Sequence, residues 1–240
     1  MNPLSNAAWH IAVLIPARNE EALLERCLHS VLAAQRRLPP NVSFDLVVVA
    51  DSSMDDTYRI ASALIRRVGL VIETDAACVG AARALAAEAA LSRATVPAER
   101  CWLANTDADC VVPETWLVDQ LARAVEGYVA VAGVIDVDSF AEHDPGVSTR
   151  FRLTYLLNPD GTHPHVHGAN LGVRADAYLT AGGWNPLRTA EDHDLWNRLK
   201  AGRHRATADT RLSVVTSGRR VGRAPDGFAD ALAAHNGGAA

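Results

Sequence analysis

Five short runs rich in β-branched and small apolar residues alternate with stretches of helical period across the first half of the chain. That alternation constrains the fold more than any other feature. The runs cover residues 10–15, 44–50, 70–73, 102–105 and 128–137, each too short for a buried helix. Between the first two, Leu23, Leu24, Cys27, Leu28, Val31 and Leu32 form an apolar stripe, and the spacing predicts a helix opening at Arg18 or Asn19. A second helix, capped by Ser53 or Asp55, is expected to run to about Arg67 with Ile60, Leu64 and Val68 on one face. Residues 79–93 read as an alanine-rich helix, and Pro113 suits the first position of a helix ending near Val125. A β-α repeat of this kind implies an α/β fold, with a mostly parallel sheet covered by helices on both faces.

The second half is less regular. Residues 141–150 read as a surface loop, 151–157 as a short helix, and Asn158-Pro159-Asp160-Gly161 as a turn. Helices are expected at 175–181 and 191–201, separated by Gly182-Gly183, with one or two short strands in 206–216 and a frayed tail at 236–240. A chain of 240 residues, 49% of them hydrophobic, is sized for one core. Residues 1–240 are therefore read as one domain, a sheet half (1–138) and an irregular half (139–240) folded onto it.

A net charge of −5 and an aromatic share of 5% weigh against nucleic acid as a partner. The four cysteines lack paired spacing and read as reduced thiols. There is no basic leader segment and no apolar run long enough to span a membrane, so the expected location is cytoplasmic.

Chemistry concentrates just past the strands. Asp107 and Asp109 stand two residues apart after the fourth run, so both project the same way. Their mutual repulsion calls for a positive partner, and carboxylate oxygens suit a hard divalent cation, Mn2+ or Mg2+. The same spacing also describes an Asx turn. Asp51 ends the second run, where an acidic group can accept from a ribose or a base, while Ser53, Asp55 and Asp56 suit a helix start. Glu191 and Asp192 open a helix, as caps or as a general base. Ser217, Arg219 and Arg220, with Arg223 nearby, form a basic cluster suited to an anion, although Arg223 alone reads as solvated. His163, His165 and His167 alternate on one side of an extended segment, which raises a zinc site, but no cysteine or carboxylate joins them at close spacing, and acceptor or phosphate contact is the better reading.

Together these segments resemble family 2 glycosyltransferases. I-P-A-R-N-E-E at 15–21, V-A-D-S-S-M-D-D-T at 49–57, G-A-A-R at 80–83, T-D-A-D at 106–109, H-G-A-N-L-G-V-R at 167–174, G-G-W-N at 182–185 and A-E-D-H-D-L at 190–195 follow the family's order. The resemblance implies a GT-A fold and transfer of a sugar from a UDP- or GDP-type donor to a small-molecule, glycan or lipid-linked acceptor. It implies that Pro16, Arg18 and Glu20 flank the nucleotide, that Asp51 and Arg83 lie at the ribose or base, and that Asp107 and Asp109 hold the metal and diphosphate. By the same resemblance Asp192, beside Glu191, is the base of an inverting displacement, the T-S-G-R-R segment at 216–220 meets the diphosphate, and His167, Gly168 and Asn170 face the acceptor. Ser52-Ser53 stands where D-G-S is usual, and the Q-x-x-R-W helix of processive members is missing, which argues against a polysaccharide synthase. The rival readings are a nucleotide-sugar-binding module without turnover and a sugar-phosphate nucleotidyltransferase, the latter wanting a glycine-rich loop where residues 16–21 have no glycine.

Overall fold

A computed structural model describes residues 8–237. Seven strands form one sheet in the order β3-β2-β1-β4-β6-β5-β7. They are β1 (Trp9–Ala17), β2 (Val42–Asp51), β3 (Gly69–Thr74), β4 (Cys101–Asn105), β5 (Ala130–Val137), β6 (Leu171–Arg174) and β7 (Ala206–Thr216). Only β6 runs antiparallel, to both β4 and β5. The sheet is therefore mostly parallel, as the alternation implied, and it continues unbroken through both halves of the chain.

Side chains of β1 alternate between two cores, as a strand buried on both faces requires. Ile11, Val13 and Ile15 meet α1 (Leu24–Gln35), α2 (Thr57–Ile65) and α4 (Trp116–Val125), whereas Ala12 and Leu14 meet α3 (Val79–Arg93), α6 (Ala175–Thr180) and α7 (Glu191–Ala201). The alanines of α3, Ala82, Ala86, Ala87 and Ala90, are all buried and bring that helix close to the sheet. A third cluster joins Val137 to α5 (Val147–Thr154) and α8 (Phe228–Ala233) through Phe151 and Leu232.

Helices α3 and α7 keep the bounds read from sequence; other elements shift. The first helix starts at Leu24, not at Arg18 or Asn19, because Asn19 takes a left-handed φ of 52° and the chain turns before the helix begins. The amide of Asn19 donates to Ser53 Oγ, and Asn19 Oδ1 accepts from the Met54 amide, so the loops after β1 and β2 brace one another. Ser53 is thus spent across the loops, while Asp55 accepts from the Thr57 amide at the start of α2. The loop expected at 141–150 gives way to α5, whose Val147 and Phe151 are drawn into the third cluster. β6 went unread as a strand: four residues, one of them glycine, carry too little periodicity. Residues 206–216 form one long strand with an irregularity opposite Gly133 and Val134. Asn236 and Gly237 are not frayed, since Asn236 Oδ1 accepts from the Asp144 amide and the Gly237 amide donates to Asp144 Oδ2. Residues 238–240 lie outside the described residues.

Candidate active site

Because β6 is antiparallel to both neighbours, the carboxyl ends of β1, β2, β4, β5 and β7 emerge at one edge of the sheet, together with the segment that enters β6. A cleft of about 520 Å³ opens there. It is lined by Pro16, Arg18 and Glu20 after β1, Asp51 at the end of β2, Arg83 on α3, and Asp107 and Asp109 after β4. His167 and Gly168 before β6, Glu191 and Asp192 on α7, and Ser217 and Arg219 after β7 complete the wall. Residues spread over two hundred positions thus converge, as expected for ligand sites beyond the carboxyl ends of an open α/β sheet.

Two arginines organise its charges. The Arg83 guanidinium, 2% exposed, donates from Nε to Glu191 Oε1 at 3.0 Å and from Nη2 to Asp107 Oδ1 at 2.6 Å. Arg219 donates to both oxygens of Glu20 at 2.9 and 2.7 Å and pairs with Asp109 Oδ2 at 2.8 Å. Burial disfavours the charge on Arg83, but Asp107 and Glu191 overcome it and keep the group firmly ionised. Burial also raises the Asp109 carboxyl, with Asp107 and Glu20 acting in the same sense and Arg219 opposing. Burial raises Glu191 as well, against the pull of Arg83.

The residues fit a hard divalent cation. Oxygens of Asp107 and Asp109 lie with Cys110 Sγ inside a 4.8 Å group. Four carboxylates share two close guanidiniums, and Arg223 stands 3.8 Å from Glu20, so negative charge is in excess. Burial pushes the Cys110 thiol well up, with the charges of Asp109 and Asp107 acting in the same sense, so it stays protonated. The available donors are therefore oxygens, which select Mg2+ or Mn2+ over softer metals.

Asp192 differs from its neighbour Glu191. Among the described residues no arginine forms an ion pair with it; its Oδ2 accepts from the Gly168 amide at 2.7 Å and its Oδ1 from the His193 amide at 2.7 Å. Both contacts fix the carboxylate and leave lone pairs free.

Other sites read from sequence are placed differently. Asp51 lines the cleft, but its oxygens accept from the Ala77 and Cys78 amides at 2.9 Å each and so hold the turn into α3. Arg83 turns toward Asp107 and Glu191. Asn170 does not face an acceptor: it is 1% exposed, accepts from Trp116 Nε1 and donates to the Val134 and Leu212 carbonyls, a clasp inside the sheet. Arg220 is exposed and outside the cleft wall, with its amide on Glu142. The histidines form no metal group among the described residues. They stack instead, Tyr155 on His165 at 3.9 Å, while His163 and His165 meet backbone carbonyls and His167 meets the Tyr155 hydroxyl at 3.0 Å.

Sequence reasoning missed Arg188, Thr189 and the 222–231 segment as cleft walls. Arg223, read as solvated, donates to the Asn19 carbonyl at 2.8 Å. Gly80, read from sequence as the start of the G-A-A-R segment, has a structural reason to be glycine: its amide donates to the Leu187 carbonyl, and a Cβ there would lie 2.2 Å from the Asn185 carbonyl oxygen. Only glycine lets the 185–190 loop seat on α3.

Burial, with the neighbouring His165, His163 and His193, lowers His167 to about 3; His163 and His165 are lowered too. A base depressed in the folded state takes up protons in the unfolded chain first. Stability should therefore fall as pH drops from about 6.5 toward 3, by no more than ~1.4 kcal/mol per pH unit for one group. Urea midpoints between pH 7.5 and 5 should show this loss, and His167→Gln should flatten it; parallel profiles would refute it.

Comparison with known proteins settles the family. The family model described as Glycosyl transferase family 2 matches residues 12–180, well over half of the chain. The chain belongs to glycosyl transferase family 2. Among solved structures, S. aureus TarS 1–349 in complex with UDP-GlcNAc superposes with a TM-score of 0.65 at 18% identity, over 89% of this chain and 60% of that one. GalNAc-T7 with UDP, GalNAc and Mn2+ superposes with a TM-score of 0.67 at 17% identity, over 90% of this chain and 45% of that one. At such identities the likeness is one of fold, and the fold is GT-A. This family 2 chain spans less than two thirds of the length of either. A Mycobacterium tuberculosis protein described as uncharacterised (MT1568) is 43% identical over 56 residues, 23% of this chain and 16% of that protein. No helix among the described residues of this family 2 chain is long and apolar enough to cross a membrane.

Proposed function

We propose that the chain transfers a glycosyl group from a nucleotide diphosphate sugar to an acceptor hydroxyl, with inversion and with a divalent cation, Mn2+ or Mg2+. The observation that carries this reading is one cleft that joins the Asp107/Asp109 pair, two guanidiniums and the arginine-free carboxylate of Asp192. A uridine nucleotide is the first choice of donor, since TarS was solved with UDP-GlcNAc and with UDP, and GalNAc-T7 with UDP, GalNAc and Mn2+. The acceptor is a small molecule, a glycan or a lipid-linked hydroxyl. The four free thiols agree with a reducing, cytoplasmic setting.

In this reading Asp192 takes the proton of the acceptor hydroxyl as its oxygen attacks the anomeric carbon. The bond from that carbon to the diphosphate breaks, and the nucleoside diphosphate leaves with the electron pair. Arg219, at the mouth of β7, stands where the departing charge grows, and Ser217 accepts from its amide and steadies the turn. A cation held by Asp107 and Asp109 would supply further stabilisation of the leaving diphosphate. Gly168, whose amide holds Asp192, lines the cleft with Val166 and His167, and in this reading that wall faces the acceptor.

A thermal-shift panel of UDP, GDP, dTDP and CDP, each with and without Mn2+, tests the reading. UDP with Mn2+ at a hundredfold excess over Kd should raise Tm by roughly 5–10 °C. A panel in which no nucleotide moves Tm would overturn it.

A further inference from the structure

Arg83 pairs with two of the carboxylates in the cleft and packs against the glycine that holds a third. It projects from the first turns of α3, Nε on Glu191 at 3.0 Å and Nη2 on Asp107 at 2.6 Å. Its guanidinium lies over the Trp184 ring, 5.4 Å from the centroid. Gly168 packs against it so closely that a Cβ there would stand 2.3 Å from Nη2 and 2.8 Å from Cζ. The amide of that same glycine holds Asp192 Oδ2. One side chain thus sets the aspartate after β4, the first residue of α7 and the donor that fixes the carboxylate of Asp192.

We propose that Arg83 is a positioning residue: it locks Asp107 and Asp192 into one geometry, so that the donor diphosphate and the acceptor proton are handled in register. This rests on the glycosyl-transfer reading. Only a guanidinium can do it, because Nε and Nη2 hold two carboxylates from different elements at once, whereas an ammonium is a point charge without that fork. Gly168 is glycine for the matching reason, leaving room for the guanidinium without a positive φ of its own.

The test uses Arg83→Lys, Gly168→Ala and the double variant, with UDP-GlcNAc and Mn2+ as donor and water as acceptor, or a GDP sugar if the nucleotide panel selects GDP. Arg83→Lys keeps the buried positive charge but gives up one of the two carboxylate contacts, so a modest fall in Tm with the fold retained is expected. It should lower kcat by about 10–100-fold, the scale of an ångström of misplacement, with KM for the donor and Kd for UDP within about threefold. Gly168→Ala displaces the flexible end of Arg83 without removing its charge and should lower kcat to a similar extent. Because the shorter lysine head leaves room for the new methyl, the double variant should be no slower than the slower single variant.

A loss of UDP affinity with kcat preserved would make Arg83 a nucleotide contact and overturn the proposal. So would kcat within threefold of wild type in both single variants, or full additivity in the double. If Arg83→Lys does not fold, Gly168→Ala decides alone. Wild type that neither binds nucleotide nor turns over donor would fail the functional reading itself, a result distinct from active wild type with unaffected variants.

Discussion

Replacing Asp192 with asparagine should lower sugar transfer by about 10²–10⁴-fold, the usual contribution of a positioned general base. The substitution keeps the shape of the side chain but removes its ability to take a proton. One of the two amides that now meet the carboxylate, from Gly168 or His193, would face the new NH2 group, so a modest loss of stability should accompany it. Nucleotide affinity should hardly move, because the hydrogen bonds to this carboxylate come from the Gly168 and His193 amides and it lies outside the Asp107/Asp109 group. Calorimetry with UDP and Mn2+, set beside initial rates of donor turnover, separates the two effects. Near-normal rates would remove Asp192 from the base role. Glu191→Gln is the instructive control: Glu191 is ion-paired with Arg83, so its loss leaves a buried guanidinium short of a partner and should lower Tm as well as the rate.

Asp109→Asn should abolish the Mn2+ dependence of nucleotide binding while leaving the fold intact. Asp109 is buried, and burial already disfavours its charge, so a neutral isostere should cost little stability, which a comparison of Tm checks directly. Arg219 keeps its two hydrogen bonds to Glu20 in the variant, so its loop should stay in place. The expected result is a ratio of UDP affinities with and without Mn2+ that collapses from tenfold or more to about one, consistent with loss of an oxygen ligand for a hard cation. An unchanged ratio in calorimetry would show that the cation is held elsewhere.

Much of the site was legible because its residues follow strands. Asp51, Asp107 and Asp109 sit within a few positions of apolar runs whose period marks them, and the loop after β1 carries its own pattern of proline, arginine and acid. What stayed hidden was pairing at long range. Arg83 meets Glu191 across 108 positions, and Arg219 meets Glu20 across 199. Asn170 was misread for a related reason: a polar residue in a short segment looks like a ligand contact until its partners on α4, β5 and β7 are seen.

The sequence by itself determined the α/β class, the parallel run of the first strands and the identity of the acidic groups at their ends, since period and strand-end chemistry are local properties of the chain. The tertiary structure alone decided that β6 enters antiparallel between β4 and β5. That one reversal turns the segment before β6 toward the cleft and lets the Gly168 amide meet Asp192. On the other side of β5, β7 pairs in parallel, which delivers Arg219 to Glu20 and Asp109. Strand order is set by how whole faces pack, and no window of residues contains it.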